Sequence, residues 1–289
     1  MRGLPVFLVF LLLLPGVLQQ ASGAYSRKPG KKILFLTNST FHSHGGCMTP
    51  FNGYCTGAGV AYEAFGSYRY LRAARGGKRI SPFLAGQIKD PRILELIGKG
   101  DFDYVVLVTR FSALATAPGA RAEFSAFRKM HEHIVRSGAR TVVSVSYVTR
   151  GSVHDRGRKA NNRARHEELK TELNGMEIAG KKHPVILVPT GSLWSEGGVA
   201  RFGVEAWFAD SVHGTPLAQH GSGCLFFTFI TGQDPRKNGY LDLHAEARFR
   251  ESELSREEAD WLRERVWVLY QERGEKEEPA PGRAPESGG

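Results

Sequence analysis

Two short stretches, far apart in the chain, carry side chains able to do nucleophilic chemistry together. In ILFLTNST an apolar run ends in Thr37, Asn38, Ser39 and Thr40, and in FADSVHGTPL an aspartate, Asp210, precedes a histidine, His213, with two residues between them. A serine hydroxyl attacks a carbonyl only when a base removes its proton. An imidazole does that best when a carboxylate fixes its tautomer and steadies the positive charge that develops. The D-x-x-H spacing lets one tight turn bring the Asp210 carboxylate to Nδ1 of His213, leaving Nε2 for the Ser39 hydroxyl. The residues around Ser39 have two other uses. Asn38, Ser39 and Thr40 are all good N-cap residues for a helix after a strand. They also form a sequon that places a glycan acceptor at Asn38, beside a strand end where a sugar would be crowded.

The elements that must position these groups can be read from periodicity. Continuous apolar, β-branched runs occur at Lys31 to Leu36, Asp103 to Val108, Arg140 to Val148 and His183 to Pro189, as suits strands covered on both faces. A weaker run, Arg79 to Leu84, is the expected fifth strand. Helical stretches are expected between them. The clearest is Pro118 to Ser137, where Phe124, Phe127, Met130 and Ile134 fall on one stripe and Gly138 supplies a stop. Gly57 to Ala74, Ala160 to Leu173 and Pro216 to Thr231 are further expected helices. In the last helix Ser255 and Glu258 form a capping box, after which Ala259, Leu262, Val266 and Leu269 recur at helical spacing. Alternating strands and helices imply an α/β fold, a three-layer α/β/α sandwich with a mainly parallel, flavodoxin-like five-stranded sheet. In such sheets ligands bind beyond the carboxyl ends of the strands, where Ser39 emerges.

Residues 1–23 have the form of a secretory signal peptide: Arg2, an apolar run from Leu4 to Leu14, a turn at Pro15 and Gly16, then small residues up to Gly23. Residues 24–273 are expected to fold as one domain. Residues 274–289, rich in charge, Pro and Gly, are expected to be a disordered tail. The expected product is exported, secreted or periplasmic, without membrane insertion. The formal charge of +10 and pI of 9.6 favour acidic surroundings, but Lys and Arg are dispersed. With export and no recognisable nucleic-acid module, nucleic-acid binding is not expected. Of the three cysteines, Cys224 sits among residues fit only for an interior. Cys47 and Cys55 are close enough in sequence to close a small disulfide loop or to remain reduced.

The strand ending in LTNST, together with DSVHGTPLAQHGSGCLFFTFITGQDP, resembles the nucleophile block and the D-x-x-H block of the SGNH (GDSL-like) hydrolases, in order from about Lys31 to Pro235. The resemblance implies hydrolysis of esters, often acyl or acetyl groups on carbohydrates, through an acyl-enzyme and without a cofactor. It makes Ser39 the nucleophile, His213 the base and then the acid, and Asp210 the orienting carboxylate. The oxyanion hole would use the backbone N–H groups of Ser39 and Gly86. The chain departs from the family pattern at Thr37, where glycine is usual, and at Asn38, where aspartate is more common. It also has VTRFSA where the family supplies an amide side chain. Thr109 or Arg110 is the expected substitute donor. Losing one such donor costs on the order of 3 kcal/mol of transition-state stabilisation, so weak activity is compatible with this pattern. The alternative is a silent SGNH-fold protein that binds carbohydrate.

The glycine-punctuated stretch after Ser39 reads as a mobile rim, with His44 and Tyr54 expected to touch substrate. His42, His44, Cys47 and Cys55 are suitable zinc ligands, but H-x-H-x-x-C matches no strong zinc signature, so no metal is expected. The basic segment Thr149 to His166 suits either a solvated loop leading into a helix or a contact with an acidic polysaccharide or phosphate-bearing ligand. Gly191, Gly197 and Gly198 read as loop punctuation. The expected partner is a small acyl ester or acylated carbohydrate, and the expected state is a monomer.

Overall fold

The computed structural model describes residues 30–36, 46–66, 84–109, 114, 116–145, 149–152, 154–211, 213–240 and 254–273. The signal-peptide segment and the tail lie outside them. Five strands form one parallel sheet: β1 (Lys31–Leu36), β2 (Tyr62–Gly66), β3 (Tyr104–Val108), β4 (Arg140–Ser144) and β7 (Ile186–Val188), in the order β2-β1-β3-β4-β7. β5 (Glu177–Ile178) and β6 (Lys181–Lys182) make a separate antiparallel pair.

Alternation along each strand feeds two cores, because successive side chains leave a strand on opposite faces. From β1, Ile33 and Phe35 enter one core while Leu34 and Leu36 enter the other; from β3, Tyr104, Val106 and Val108 part in the same way from Val105 and Leu107. One layer holds α1 (Met48–Gly57), α5 (Pro216–Thr231) and α6 (Arg256–Arg273). The other holds α2 (Pro91–Lys99), α3 (Ala117–Arg136) and α4 (Arg156–Gly175). The architecture is therefore the three-layer α/β/α fold. Each fully buried aliphatic or aromatic side chain contributes about 1.5 to 3 kcal/mol, which makes the two-sided central strands the firmest part of the molecule.

α5 is buried from Leu217 to Ile230, its many small and apolar residues covered on every side with Gln219, His220, Ser222 and Thr228 buried among them. It lies hard against α1. A Cβ at Gly223 would come within 2.8 Å of the Cys47 carbonyl oxygen and the Phe51 nitrogen, so only glycine permits this approach. α6 begins with the capping box: Ser255 Oγ accepts from the Glu258 N–H at 3.2 Å, while Glu258 Oε2 accepts from the Ser255 N–H at 2.8 Å.

Several expectations need correction. The fifth strand is Tyr62–Gly66, parallel to β1 at the sheet edge. The Gly57 to Ala74 helix therefore does not form across this stretch; Gly59, at φ 66°, is left-handed between α1 and the strand. In the Arg79 to Leu84 run, Leu84 opens a short helix, Leu84–Gln87, and the preceding residues lie outside the described ones. Gly53 belongs to α1 rather than to a mobile loop, and a Cβ there would strike the Tyr240 ring. Gly191, Gly197 and Gly198 lie in a helical passage, Thr190–Ser192, Leu193–Gly198 and Val199–Phe202, where Gly198 makes room for Trp207.

All three cysteines are buried free thiols. Cys47 and Cys55 flank and enter α1, and their eight-residue separation along a helix amounts to about 12 Å, well beyond the span a disulfide bridges. Burial pushes the Cys55 and Cys224 thiols up to about 12 and raises that of Cys47 as well. They are neutral and unreactive at physiological pH.

Candidate active site

The D-x-x-H turn is built from its neighbours inward. Phe208 and Gly214 form an antiparallel bridge, and the Ala209 N–H donates to the His213 carbonyl at 2.9 Å, closing a tight loop around Asp210 and His213. Its base is fixed. Phe208 is buried edge-on to Trp194 with ring centroids 5.5 Å apart, and a Cβ at Gly214 would come within 2.7 Å of the Trp194 ring. On the far side, Thr215 caps α5 and its hydroxyl donates to the Ala206 carbonyl at 2.5 Å.

Within this frame the Asp210 carboxylate makes both contacts that the spacing allows. Oδ1 accepts the His213 main-chain N–H at 2.8 Å, and Oδ2 lies 2.6 Å from Nδ1 of the ring. A carboxylate only accepts, so Nδ1 carries the proton and Nε2 is the basic nitrogen. The His213 side chain is 30% exposed and that of Asp210 54% exposed, leaving the pair reachable from solvent.

The position of this loop follows from the segment after β4. The Arg150 N–H donates to the Ser211 carbonyl at 3.1 Å, and the Arg150 guanidinium pairs with Glu205. The Asp210–His213 turn is thus bounded by segments that follow β4 and β7 in the chain, through Arg150 and Trp194. β1 runs parallel to β3, with Leu36 opposite Leu107, so the chain leaves both strands at the same end of the sheet. Ser39 follows Leu36 by three residues and lies outside the described residues, as do Arg110, His44 and His42.

Two proposed site residues are placed elsewhere. Thr109 is 1% exposed; its hydroxyl lies 2.8 Å from Nε2 of His166 and reaches the Ser144 carbonyl at 3.3 Å. Those bonds tie the end of β3 to β4 and α4, which removes this hydroxyl from the role of oxyanion donor. Tyr54 is fully buried, its ring stacked on Phe227 with centroids 5.6 Å apart and against Tyr240 at 5.0 Å. It is a core residue, not part of a substrate rim. Gly86 lies half-buried in the Leu84–Gln87 helix, where first-turn amides have no acceptor within the helix.

His166 is the residue whose importance the sequence concealed inside a basic run. Its signal is register: His166, Leu169 and Leu173 fall on one face of α4, and all three are buried. Among the described residues, no three His, Cys, Asp or Glu side chains gather as a metal site.

No family model matches the chain, and no curated protein matches it in sequence. Solved structures resemble it in fold. A DUF4886 family protein from Bacteroides uniformis superposes with a TM-score of 0.59 at 8% identity, over 84% of this chain and 95% of its own. A candidate SGNH hydrolase from Slackia heliotrinireducens has a TM-score of 0.48 at 16% identity, over 68% of this chain and 97% of its own. At these identities the likeness is one of fold, and the α/β/α architecture is what this chain shares with the DUF4886 protein.

Proposed function

We propose that this chain is an exported serine esterase of SGNH type. The observation that carries the proposal is the Asp210–His213 pair, held at 2.6 Å beside segments that follow β4 and β7, in a parallel-sheet fold whose first strand ends three residues before Ser39. Ser39 Oγ attacks the ester carbonyl as Nε2 of His213 takes its proton, with Asp210 holding the imidazolium. The tetrahedral intermediate collapses when His213 returns the proton to the departing alcohol, leaving an acyl-serine. Water, deprotonated by the same nitrogen, then attacks the acyl group; the acid departs and the serine regains its proton. The Ser39 and Gly86 N–H groups, with Arg110, are the proposed oxyanion donors. An acyl or acetyl ester on a carbohydrate fits export, and no cofactor enters the cycle.

The test is turnover of short-chain aryl esters by the mature protein, compared with Ser39→Ala and His213→Ala. Turnover lost in both variants supports the esterase. Equal turnover by wild type and variants rules it out.

One observation favours a second reading, a silent protein that binds acylated carbohydrate: the Thr109 hydroxyl is held by His166 and does not replace the missing amide donor. That reading predicts no turnover by the wild type and sugar binding unchanged by Ser39→Ala.

A further inference from the structure

Beyond the edge strand β7, the two helical layers meet around a cavity of about 40 Å³, large enough to admit water. Its apolar wall includes Val145 and Pro189. α4 contributes Arg163, His166, Glu167 and Lys170, and the last residue of α6, Arg273, completes the lining. The α4 residues share one face because spacings of three, four and seven bring side chains into line along a helix.

We propose that this cavity binds the tetrahedral oxyanion of a phosphate or sulfate group. Three permanent cations, Arg163, Lys170 and Arg273, surround it against one carboxylate, Glu167. An anion seated among these side chains gains Coulomb attraction that a partly buried site screens less than bulk water does. Guanidinium groups offer paired N–H donors in the fork that oxyanions accept, and the lysine adds a mobile point charge.

Two lining groups are already fixed, which lowers the ordering cost of binding. Arg273 donates to the hydroxyl of Ser192, itself fully buried. His166, 1% exposed, is held by Thr109 at 2.8 Å. A solvated basic helix face would have neither the buried imidazole nor a cation arriving from the opposite layer. The site is separate from the Asp210–His213 turn and does not depend on the esterase reading.

The experiment is calorimetric titration and thermal unfolding of the full chain with sodium phosphate, sodium sulfate and sodium glucuronate, each against sodium chloride at matched ionic strength. Phosphate or sulfate is expected to bind saturably and raise the unfolding midpoint, and whichever binds tighter identifies the group. Lys170→Gln and Arg163→Gln are each expected to weaken binding about tenfold, the worth of a hydrogen bond to a charged group. Glu167→Gln is expected to tighten it, and Lys181→Gln, away from the cavity, to leave it unchanged. Chloride matching the oxyanions, glucuronate binding more tightly than either, or folded Arg163→Gln and Lys170→Gln proteins binding like wild type would overturn the proposal.

Discussion

Asp210 holds His213 twice, through the main-chain N–H at 2.8 Å and through Nδ1 at 2.6 Å. One carboxylate therefore sets both the turn and the tautomer. Replacing it with asparagine keeps the shape but presents an amide that can favour the wrong ring tautomer. Asp210→Asn is expected to lower kcat for aryl esters by about a thousandfold, somewhat less than for a fully buried triad carboxylate. Circular dichroism of the variant should match that of the wild type, separating lost chemistry from lost folding.

His131 gives a pH dependence with a definite sign. It is buried on α3, Nδ1 lies 2.8 Å from the Thr141 hydroxyl, and Nε2 has no hydrogen-bond partner among the described residues. Burial, followed by the nearby His183, lowers its pKa from 6.5 to about 4. The unfolded chain therefore binds the extra proton first as pH falls. The stability from keeping this ring neutral is fully present above about pH 6.5 and is lost progressively down to about pH 4. The loss amounts to roughly 3 kcal/mol. Urea unfolding across that range should show the slope, and His131→Gln should flatten it.

The buried thiols predict silence toward modification. With the native protein, a disulfide-exchange reagent should label Cys47, Cys55 and Cys224 only at the rate of unfolding. In denaturant all three should react at once. Rapid labelling of a native cysteine, or a missing pair after denaturation, would contradict the packing of α1.

Gly223 tests the contact between α5 and α1. A methyl group there meets backbone atoms at 2.8 Å, which cannot swing aside as a side-chain end could. Gly223→Ala is expected to destabilise the fold by about 2 kcal/mol, measured by denaturant unfolding. Gly151→Ala, where no atom lies within 4 Å, is the matched control.

How much of this was legible in the chain depended on how local each signal was. α3 and α5 are readable almost to the residue, since an apolar stripe, or a Pro-initiated span dominated by small and apolar residues, is written in contiguous sequence. The capping box of α6 and the Asp210–His213 contact were equally local, each closed within three residues. β2 is not legible in sequence because Tyr62 to Gly66 has no continuous apolar run. An edge strand is half covered, and its pairing with β1 is a long-range choice. Tyr54 and Gly53 read as a rim in sequence because glycine and tyrosine suit loops, while the residues they pack against, Phe227 and Tyr240, come from far along the chain.

The sequence by itself determined the α/β alternation, the helix caps and the D-x-x-H turn, because hydrophobic period and short-range hydrogen bonding act between near neighbours. Only the tertiary structure decided that the Thr109 hydroxyl faces His166, that Cys47 and Cys55 stay apart, and that Arg273 joins Arg163 and Lys170 around one cavity. Those outcomes depend on which surfaces of distant elements are driven together to exclude water, a sum over the whole chain that no single stretch contains.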